Sequence, residues 1–241
     1  MDSNSISTMR AVTDIRRENL RQIMMLLARH PNLKRRDICL HTGLTGAGLS
    51  RNIKELVDAG LVRDVPEASA KGQTGRRRSV LSLNPDGAYV IGITLSANRK
   101  QVCIMDCARN IIAQRDFDDL DVADPERVLK FVVSEVAAII AESGIDRGRV
   151  LGVGVMLGSS SAGRLDENVS VPVLGWHHIP ILTILREGLA MPVSQISRSE
   201  ALLRVEAESA TADRRAGESK SPRILMVNCG VGIGSAISPG E

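Results

Sequence analysis

The sequence predicts two domains of different fold class, a small α+β domain followed by an α/β domain. Up to residue 83, apolar residues recur mainly at helical spacing, and two short strand-like runs follow them. After residue 87, three short alternating runs come first, and helical and strand-like segments then take turns. We therefore place the first domain at residues 1–83, a linker with the turn sequence Asn-Pro-Asp-Gly at 84–87, and the second domain at 88–241.

Charge separates the same two segments. Residues 1–83 contain 15 Lys and Arg against 8 Asp and Glu, whereas residues 84–241 contain 16 against 20. The balance is therefore +7 in the first domain and −4 in the second, although the whole chain carries only +3. A basic domain joined to an acidic one predicts a polyanionic partner for the first domain alone.

The composition excludes several classes of protein. Hydrophobic residues make up 43% of the 241 residues but aromatic residues only 2%, so aliphatic side chains must fill the core. The chain has no apolar run long enough to span a bilayer, and its first residues lack the apolar stretch of a signal peptide. We therefore expect a cytoplasmic protein. The four cysteines show no metal-ligand spacing, and we expect neither a metal nor a cofactor.

The first domain is built around two short helices with a tight break between them, predicted within Lys34 to Val62. The first of the two, Arg35–Thr42, keeps its apolar residues on one side. Gly43 then supplies the small residue that a sharp interhelical turn requires. A longer amphipathic helix, predicted at residues 13–29, would pack behind this pair.

The second of these helices is amphipathic. Thr45 can cap it through its hydroxyl, and Gly60 ends it where a left-handed residue is expected. Its apolar stripe consists of Leu49, Ile53, Leu56 and Val57. The opposite face carries short or basic residues, namely Ala47, Ser50, Arg51 and Lys54. Such a helix fits the major groove of DNA, although an ordinary helical hairpin with a solvated basic face gives the same pattern.

Two strands complete the first domain. The first is predicted at residues 61–65, a polar loop at 66–75, and the second strand at 76–83, beginning with three arginines. A helix-turn-helix followed by a hairpin with a basic edge is a winged helix, whose wing lies beside the groove and contacts phosphates. Double-stranded DNA is thus the predicted partner, through Arg35, Arg36, Thr45, Ala47, Ser50, Arg51, Lys54, Arg76, Arg77 and Arg78.

The second domain begins with three strands that only a few polar residues separate, which predicts an antiparallel meander. The strands are predicted at Tyr89–Leu95, Gln101–Asp106 and Ile111–Phe117. A helix follows, with Asp124 as its cap and Pro125 at its first position, and it ends at Ser143-Gly144.

Strands and helices alternate in the rest of the second domain. Val150–Leu157 is apolar and contains glycines, so we predict a strand that is buried on both faces. A second buried strand is predicted at Ile224–Val227, and the glycine-rich turn after it offers Gly230, Gly232 and Gly234 as candidate ligand contacts. Between them the pattern predicts a helix at 181–189, a strand at 193–196 and a helix at 200–210.

Together these parts resemble the ROK family, which contains bacterial sugar kinases and winged-helix repressors that respond to sugars. The resemblance lies in LRQIMMLLARHPNLKRRDICLHTGLTGAGLSRNIKELVDAGLVRDV, the GRRRS wing, LGVGV, LGWHHIPI and the final glycine turn. It implies that the second domain is the first lobe of an actin-like, ribonuclease H-like body whose second lobe is missing from these residues. It also implies a sugar or sugar-phosphate effector and a homodimer.

The resemblance further implies that the catalytic residues of the family's kinases are absent. Those kinases follow their first body strand with an Asp-x-Gly-Gly-Thr loop, and the corresponding residues here are Thr94–Asn98, without the acid or the glycines. Their catalytic base is an Asp in an Asn-Asp-Ala-Asn segment that resembles Ser197–Glu200. Arg198 stands where the base would be, and a permanent cation cannot accept a proton.

These observations favour a transcriptional regulator that binds DNA and represses genes of sugar uptake or metabolism, with no enzymatic activity. Two other functions are compatible with parts of the pattern. One is a ROK-type sugar kinase with an accessory DNA-binding domain. The other is a truncated protein that dimerises with full-length relatives.

Overall fold

The computed structural model describes residues 3–66, 79–158, 168–211, 223–230 and 232–238, with side chains from residue 13 to residue 210 and beyond 222. The chain divides into two compact units between Gly87 and Ala88. We call the described residues up to 87 the head and the described residues from 88 onwards the body. None of the described helices is long and apolar enough to cross a membrane.

The head contains three helices and a two-stranded sheet. They are α1 (Ser3–Arg29), α2 (Arg35–Thr42), α3 (Gly46–Asp58), β1 (Val62–Pro66) and β2 (Ser79–Leu83). Helix α1 begins at Ser3 instead of the predicted Thr13. The first thirty residues contain neither glycine nor proline, so nothing in them interrupts a helix, although the apolar pattern predicted a helix only from residue 13.

Aliphatic residues from all three helices form the core of the head. Ile23 and Leu27 of α1, Ile38 of α2, and Leu49 and Ile53 of α3 are almost fully buried. Strand β1 pairs antiparallel with β2, and Leu33, in the loop before α2, adds a short antiparallel bridge to Leu81 of β2. The wing is therefore attached through backbone hydrogen bonds to the loop between α1 and α2.

Val57 is the one residue of the predicted α3 stripe that is not buried, since it remains 38% exposed. At 100° per residue it lies about 80° around the helix from Leu49, whereas Asn52 lies about 60° away on the other side. Asn52 is correspondingly buried. The stripe is thus Leu49, Asn52, Ile53 and Leu56, and the prediction for Val57 was wrong.

The body contains a five-stranded sheet with helices packed on it. Its elements are β3 (Tyr89–Leu95), β4 (Lys100–Asp106), β5 (Ile111–Asp116), α4 (Pro125–Ser143), β6 (Val150–Leu157), β7 (Val169–Val171), β8 (Trp176–Ile179), α5 (Ile181–Leu189), β9 (Val193–Ser197), α6 (Arg198–Thr211), β10 (Leu225–Cys229) and β11 (Ile233–Ile237). The sheet order is β5-β4-β3-β6-β9. Strands β3, β4 and β5 form the predicted antiparallel meander, and β6 and β9 run parallel to β3. This order is that of the ribonuclease H-like lobe.

The core of the body lies between one face of this sheet and helices α4 and α5. Alternate residues of β3, β4 and β6 point into it, as do Val132 and Val136 of α4 and Leu185 of α5. Trp176 of β8 is buried in the same cluster, and its indole Nε1 donates a hydrogen bond of 2.7 Å to the Val122 carbonyl. The single tryptophan of the chain therefore connects β8 to the segment before α4.

Two strands are less buried than their sequences predicted. In β6 only alternate residues are fully buried, and Leu151 is 64% exposed, so the prediction of burial on both faces was wrong. The predicted buried strand at Ile224–Val227 is β10, which among the described strands pairs only with β11, in antiparallel orientation. Leu225 of β10 is 66% exposed. A continuous apolar run predicted burial, but α6 packs against only one face of this hairpin.

Replacing Trp176 with Phe tests how strongly the body depends on its buried indole. We expect Trp176→Phe to lower the free energy of unfolding by about 1–3 kcal/mol, because the Val122 carbonyl loses its donor and the smaller ring leaves a gap. Urea unfolding followed by circular dichroism measures the change. As a control, Val173→Ala on the neighbouring exposed turn should change the free energy of unfolding by no more than about 0.5 kcal/mol. Equal changes in the free energy of unfolding for the two variants would contradict the stabilising role assigned to the Trp176 indole.

Candidate nucleic-acid interface

The turn between α2 and α3 is fixed by backbone conformation and one side-chain cap. Gly43 adopts a left-handed conformation with φ of 69°, and its N–H donates to the Cys39 carbonyl at 2.9 Å. Thr45 is extended, and its Oγ1 accepts a hydrogen bond of 3.2 Å from the Gly48 N–H. The predicted roles of Gly43 and Thr45 are those seen in the structure, and α3 consequently begins at Gly46.

The far end of α3 is also closed as the sequence predicts. Gly60 has a φ of 73°, and the Leu61 N–H donates to the Leu56 carbonyl at 2.9 Å. This bond reaches back over the last turn of the helix, as in a Schellman motif. Both ends of α3 are thus defined, and its rotational setting follows from the buried stripe between them.

The predicted groove-facing residues lie together on the exposed side of α3. Ala47, Ser50, Arg51 and Lys54 are all exposed, opposite the buried stripe. Within the part of the chain that the structure describes, neither Arg51 nor Lys54 forms an ion pair or a hydrogen bond through its side chain. Ser50 Oγ donates to the Gly46 carbonyl at 2.8 Å, which leaves the oxygen free to accept. The face therefore presents two unpaired cations and one acceptor.

Arg35 and Arg36, at the start of α2, have different environments. Arg36 is exposed, like the residues of the α3 face. Arg35 is 40% exposed, and its Nη2 donates to Asp64 Oδ2 of β1 at 2.8 Å. The Ser79 hydroxyl hydrogen-bonds the same carboxylate, and this bond, together with Arg35, holds the pKa of Asp64 below its usual value. The predicted DNA contact of Arg35 thus competes with an internal ion pair.

The tip of the wing lies outside the described residues. The predicted phosphate contacts Arg76, Arg77 and Arg78 fall in residues 67–78, so the structure describes only the base of the wing. The base is the five-residue pairing from Val62 with Leu83 to Pro66 with Ser79. The roles of the three arginines remain predictions.

Two histidines that appear isolated in the sequence are neighbours in the head. The ring centroids of His30 and His41 lie 6.1 Å apart, and His41 Nδ1 is 2.8 Å from the Asp37 carbonyl oxygen. No group of three or more potential metal ligands occurs among the described residues. The two rings pack at the ends of α1 and α2, a proximity that no sequence spacing indicates.

The candidate ligand glycines of the body have local packing roles. The Gly230 N–H donates to the Gly232 carbonyl at 2.9 Å, which closes the turn between β10 and β11. Gly234 lies in β11, where a Cβ atom would be 2.5 Å from Ser199 Oγ of α6. Close approach of the strand to the helix therefore explains glycine at 234. Ligand binding by these glycines stays a prediction.

The two segments that the resemblance predicts at the positions of the kinase base and the phosphate loop are closed by their own hydrogen bonds. Ser197 Oγ accepts from the Glu200 N–H at 3.2 Å, which makes Ser197–Glu200 the capped start of α6, and Arg198 is exposed. In the other segment, Ser96 Oγ donates to the Arg99 carbonyl at 3.0 Å and accepts from the Arg99 N–H at 3.1 Å. Each segment is therefore a self-satisfied turn.

A buried lysine supports the second of these turns. Lys100 is 6% exposed, and its Nζ donates to the Asp118 carbonyl at 2.8 Å. A second, longer contact of 3.5 Å reaches the Ala97 carbonyl. Sequence reasoning missed this residue, because a lysine at a strand end normally lies in solvent. The alternation of β4, which turns Lys100 to the same side as the buried Val102 and Ile104, is the signal that predicts its burial.

The fold and the exposed face together define a class of protein. The head is a winged helix-turn-helix, since two helices joined by a tight turn are followed by a paired hairpin. The body is a ribonuclease H-like α/β lobe, because three antiparallel strands are extended by two parallel ones. A basic, unpaired face on the second helix of the motif is the feature by which such heads recognise DNA.

Comparisons with known proteins agree with this class. Residues 21–71 match the MarR family model. The chain is 28% identical over 191 residues to the transcriptional regulator Rv0485 of Mycobacterium tuberculosis, covering 77% of this chain and 41% of that protein. It is 21% identical over 207 residues to a xylose repressor of Caldicellulosiruptor bescii, covering 85% and 49%. The crystal structure of a ROK family transcriptional regulator, a homologue of the E. coli MLC protein, aligns with a TM-score of 0.64 at 17% identity, covering 92% of this chain and 54% of that one.

These matches confirm the predicted fold and the resemblance to ROK family transcriptional regulators. The alignment with the solved regulator covers 92% of this chain, so it includes residues of both the head and the body. It spans less than half the length of the curated relatives that it matches. The activity of a whole regulator is therefore a matter of proposal for this chain.

Two glycines in the first turn of α3 provide a test of how its start is held. A Cβ at Gly46 would meet nothing within 4 Å, whereas a Cβ at Gly48 would lie 3.2 Å from Thr45 Oγ1. We expect Gly46→Ala to stabilise the head by about 0.4–1 kcal/mol, because alanine restricts the unfolded chain more than glycine does. Gly48→Ala should give a smaller gain, since the capping hydroxyl must shift. Thermal melting compares them, and destabilisation by Gly46→Ala would contradict the helical conformation assigned here.

Proposed function

We propose that this chain is a DNA-binding transcriptional regulator, a repressor of genes for sugar uptake or metabolism, in which α3 reads the major groove. The observation that carries the proposal is the exposed side of α3, where Arg51 and Lys54 have no ion-pair partner among the described residues and lie opposite a buried stripe. By contrast, Arg16 of α1, another exposed arginine of the head, pairs with Glu55 at 2.8 Å. The regulators and the xylose repressor among its relatives support the same function.

The chemistry of the face suits base edges. The Arg51 guanidinium can donate to both O6 and N7 of a guanine, the commonest specific contact in the major groove. Ala47 offers a methyl group for a thymine methyl, and Ser50 retains an acceptor oxygen. Lys54, one turn further along, and Arg36, at the start of α2, would contact phosphates, as would Arg76, Arg77 and Arg78 of the wing.

The body is proposed to sense a sugar or sugar phosphate and to belong to a homodimeric, cytoplasmic regulator. The name of the xylose repressor supports this effector class. Dimerisation would also give the two-fold arrangement that operators with paired half-sites require. Ligand contacts through Gly230, Gly232 and Gly234 belong to this part of the proposal.

Binding measurements with duplex DNA test the proposed role of α3. The probes are a duplex that the wild-type chain enriches from a randomised pool and a scrambled duplex of the same composition. We expect wild-type affinity to fall with salt with a slope near −4 to −5, since about 4 to 6 phosphates are neutralised. Arg51→Ala should cost about 1–3 kcal/mol on the enriched duplex and little on the scrambled one.

A matched control removes an arginine from the body. Arg127 is exposed on α4, so Arg127→Ala changes net charge by the same amount without touching the head. It should leave both affinities unchanged. Salt-insensitive binding by the wild type, or an equal loss on both duplexes with Arg51→Ala, would contradict base reading by Arg51.

The alternative function of a sugar kinase predicts turnover of ATP, and we propose that the chain has none. The segment at the position of the base is a helix cap carrying Arg198, and Thr94–Asn98 lack the acid and glycines of the phosphate loop. No ATP consumption is expected with a panel of hexoses and N-acetylhexosamines, and Arg198→Asp alone should not create it. Turnover that Arg198→Ala abolishes would establish the kinase alternative.

A further inference from the structure

We infer that Arg35 and Asp64 are positioning residues, which hold the wing beside the recognition helix and so determine how well the head distinguishes one DNA sequence from another. Neither residue needs to contact a base for this role. The inference rests on the proposed DNA binding by α3. It assigns Arg35 a different role from the phosphate contact that its sequence position predicted.

The Asp64 carboxylate connects three elements of the head. It lies in the middle of β1, where it accepts a hydrogen bond of 2.8 Å from Arg35 at the first position of α2. The hydroxyl of Ser79, the first residue of β2, bonds the same group. One side chain thus fixes both wing strands to the helix that precedes α3. The two charged partners are 29 residues apart in the chain.

The ion pair lies where the wing is already attached through its backbone. Asp64 is opposite Leu81 in the register of the hairpin. Leu81 in turn exchanges two backbone hydrogen bonds with Leu33, with N–O distances of 2.8 and 3.1 Å. The backbone bonds attach the hairpin to the loop that contains Leu33, and the Arg35–Asp64 pair adds a second attachment, to α2.

The same pair controls the charge that faces the DNA. As long as Asp64 is present, it neutralises Arg35, and the two contribute no net charge. Removing the Asp64 side chain therefore has two opposite effects. It releases a cation, which strengthens binding to any duplex, and it loosens the wing, which weakens binding to the preferred sequence. A residue that only stabilised the fold would change both affinities in the same direction.

Binding of the full chain to the enriched and scrambled duplexes separates these effects. With Asp64→Ala we expect equal or tighter binding to the scrambled duplex, with a salt slope steeper by up to about one unit. The ratio of the two affinities should fall by up to about fivefold, the effect of losing an exposed ion pair. The exchanged variant Arg35→Asp with Asp64→Arg should recover the ratio, since it restores the pair. Circular dichroism establishes that each variant is folded at the assay temperature.

A neighbouring ion pair supplies the matched control. Arg63 of β1 donates to Asp86 at 2.9 Å, and Asp86→Ala removes the same charge from the same unit. The Arg63–Asp86 pair does not involve α2, so Asp86→Ala should change the affinities for both duplexes alike and leave their ratio intact. A ratio that Asp64→Ala leaves unchanged would overturn the inference, as would an Arg35→Ala variant that weakens both duplexes equally and flattens the salt slope. If the wild-type chain enriches no duplex at all, the proposed function fails, and the inference fails with it.

Discussion

The packing of the buried stripe of α3 against the other helices is the constraint on which the head depends. Leu49, Ile53 and Leu56 are at most 4% exposed, and burying each contributes about 1.5–3 kcal/mol. Rotating α3 by one residue position would bring these side chains out of the core. Its rotational setting is therefore fixed, and Arg51 is held on the outer face. The residues that α3 presents on its exposed face are thus determined by the residues that the core buries.

In the body, short hydrogen-bonded segments lie at the two places where the resemblance to ROK proteins predicted the kinase base and the phosphate loop. Ser197 caps α6 through the Glu200 N–H, and Ser96 closes its turn with Arg99. The buried Lys100 Nζ donates to backbone carbonyls beside the second turn, so the ammonium group is hydrogen-bonded within the protein. The lobe has the sheet order of the ribonuclease H-like fold, and the polar groups of these segments satisfy one another.

Short-range sequence patterns predicted the helix caps, turns and strand connections that a few neighbouring residues determine. Thr45, Gly43 and Gly60 were identified because caps and left-handed turns need those residue types. The antiparallel meander of β3, β4 and β5 was predicted from the short polar segments between those strands. The predictions failed where distant parts of the chain decide. Burial of β10 depends on what covers its second face, which no pattern within the strand indicates. The sequence also did not indicate the ion pair of Arg35 with Asp64, 29 residues away, and the predicted DNA contact of Arg35 stays a prediction. The burial of Asn52 in place of Val57 could have been predicted from the angular positions of the two residues on the helix.

Methylation interference on the enriched duplex is the most direct test of the claim that α3 reads the major groove. Dimethyl sulphate methylates guanine at N7 in the major groove and adenine at N3 in the minor groove, so one reaction probes both. We predict that methylation of one or two guanines blocks binding of the wild-type chain, and that Arg51→Ala becomes insensitive to the same modification. Binding that is unaffected by methylation at guanine N7, but blocked by methylation at adenine N3, would contradict the claim that α3 reads the major groove.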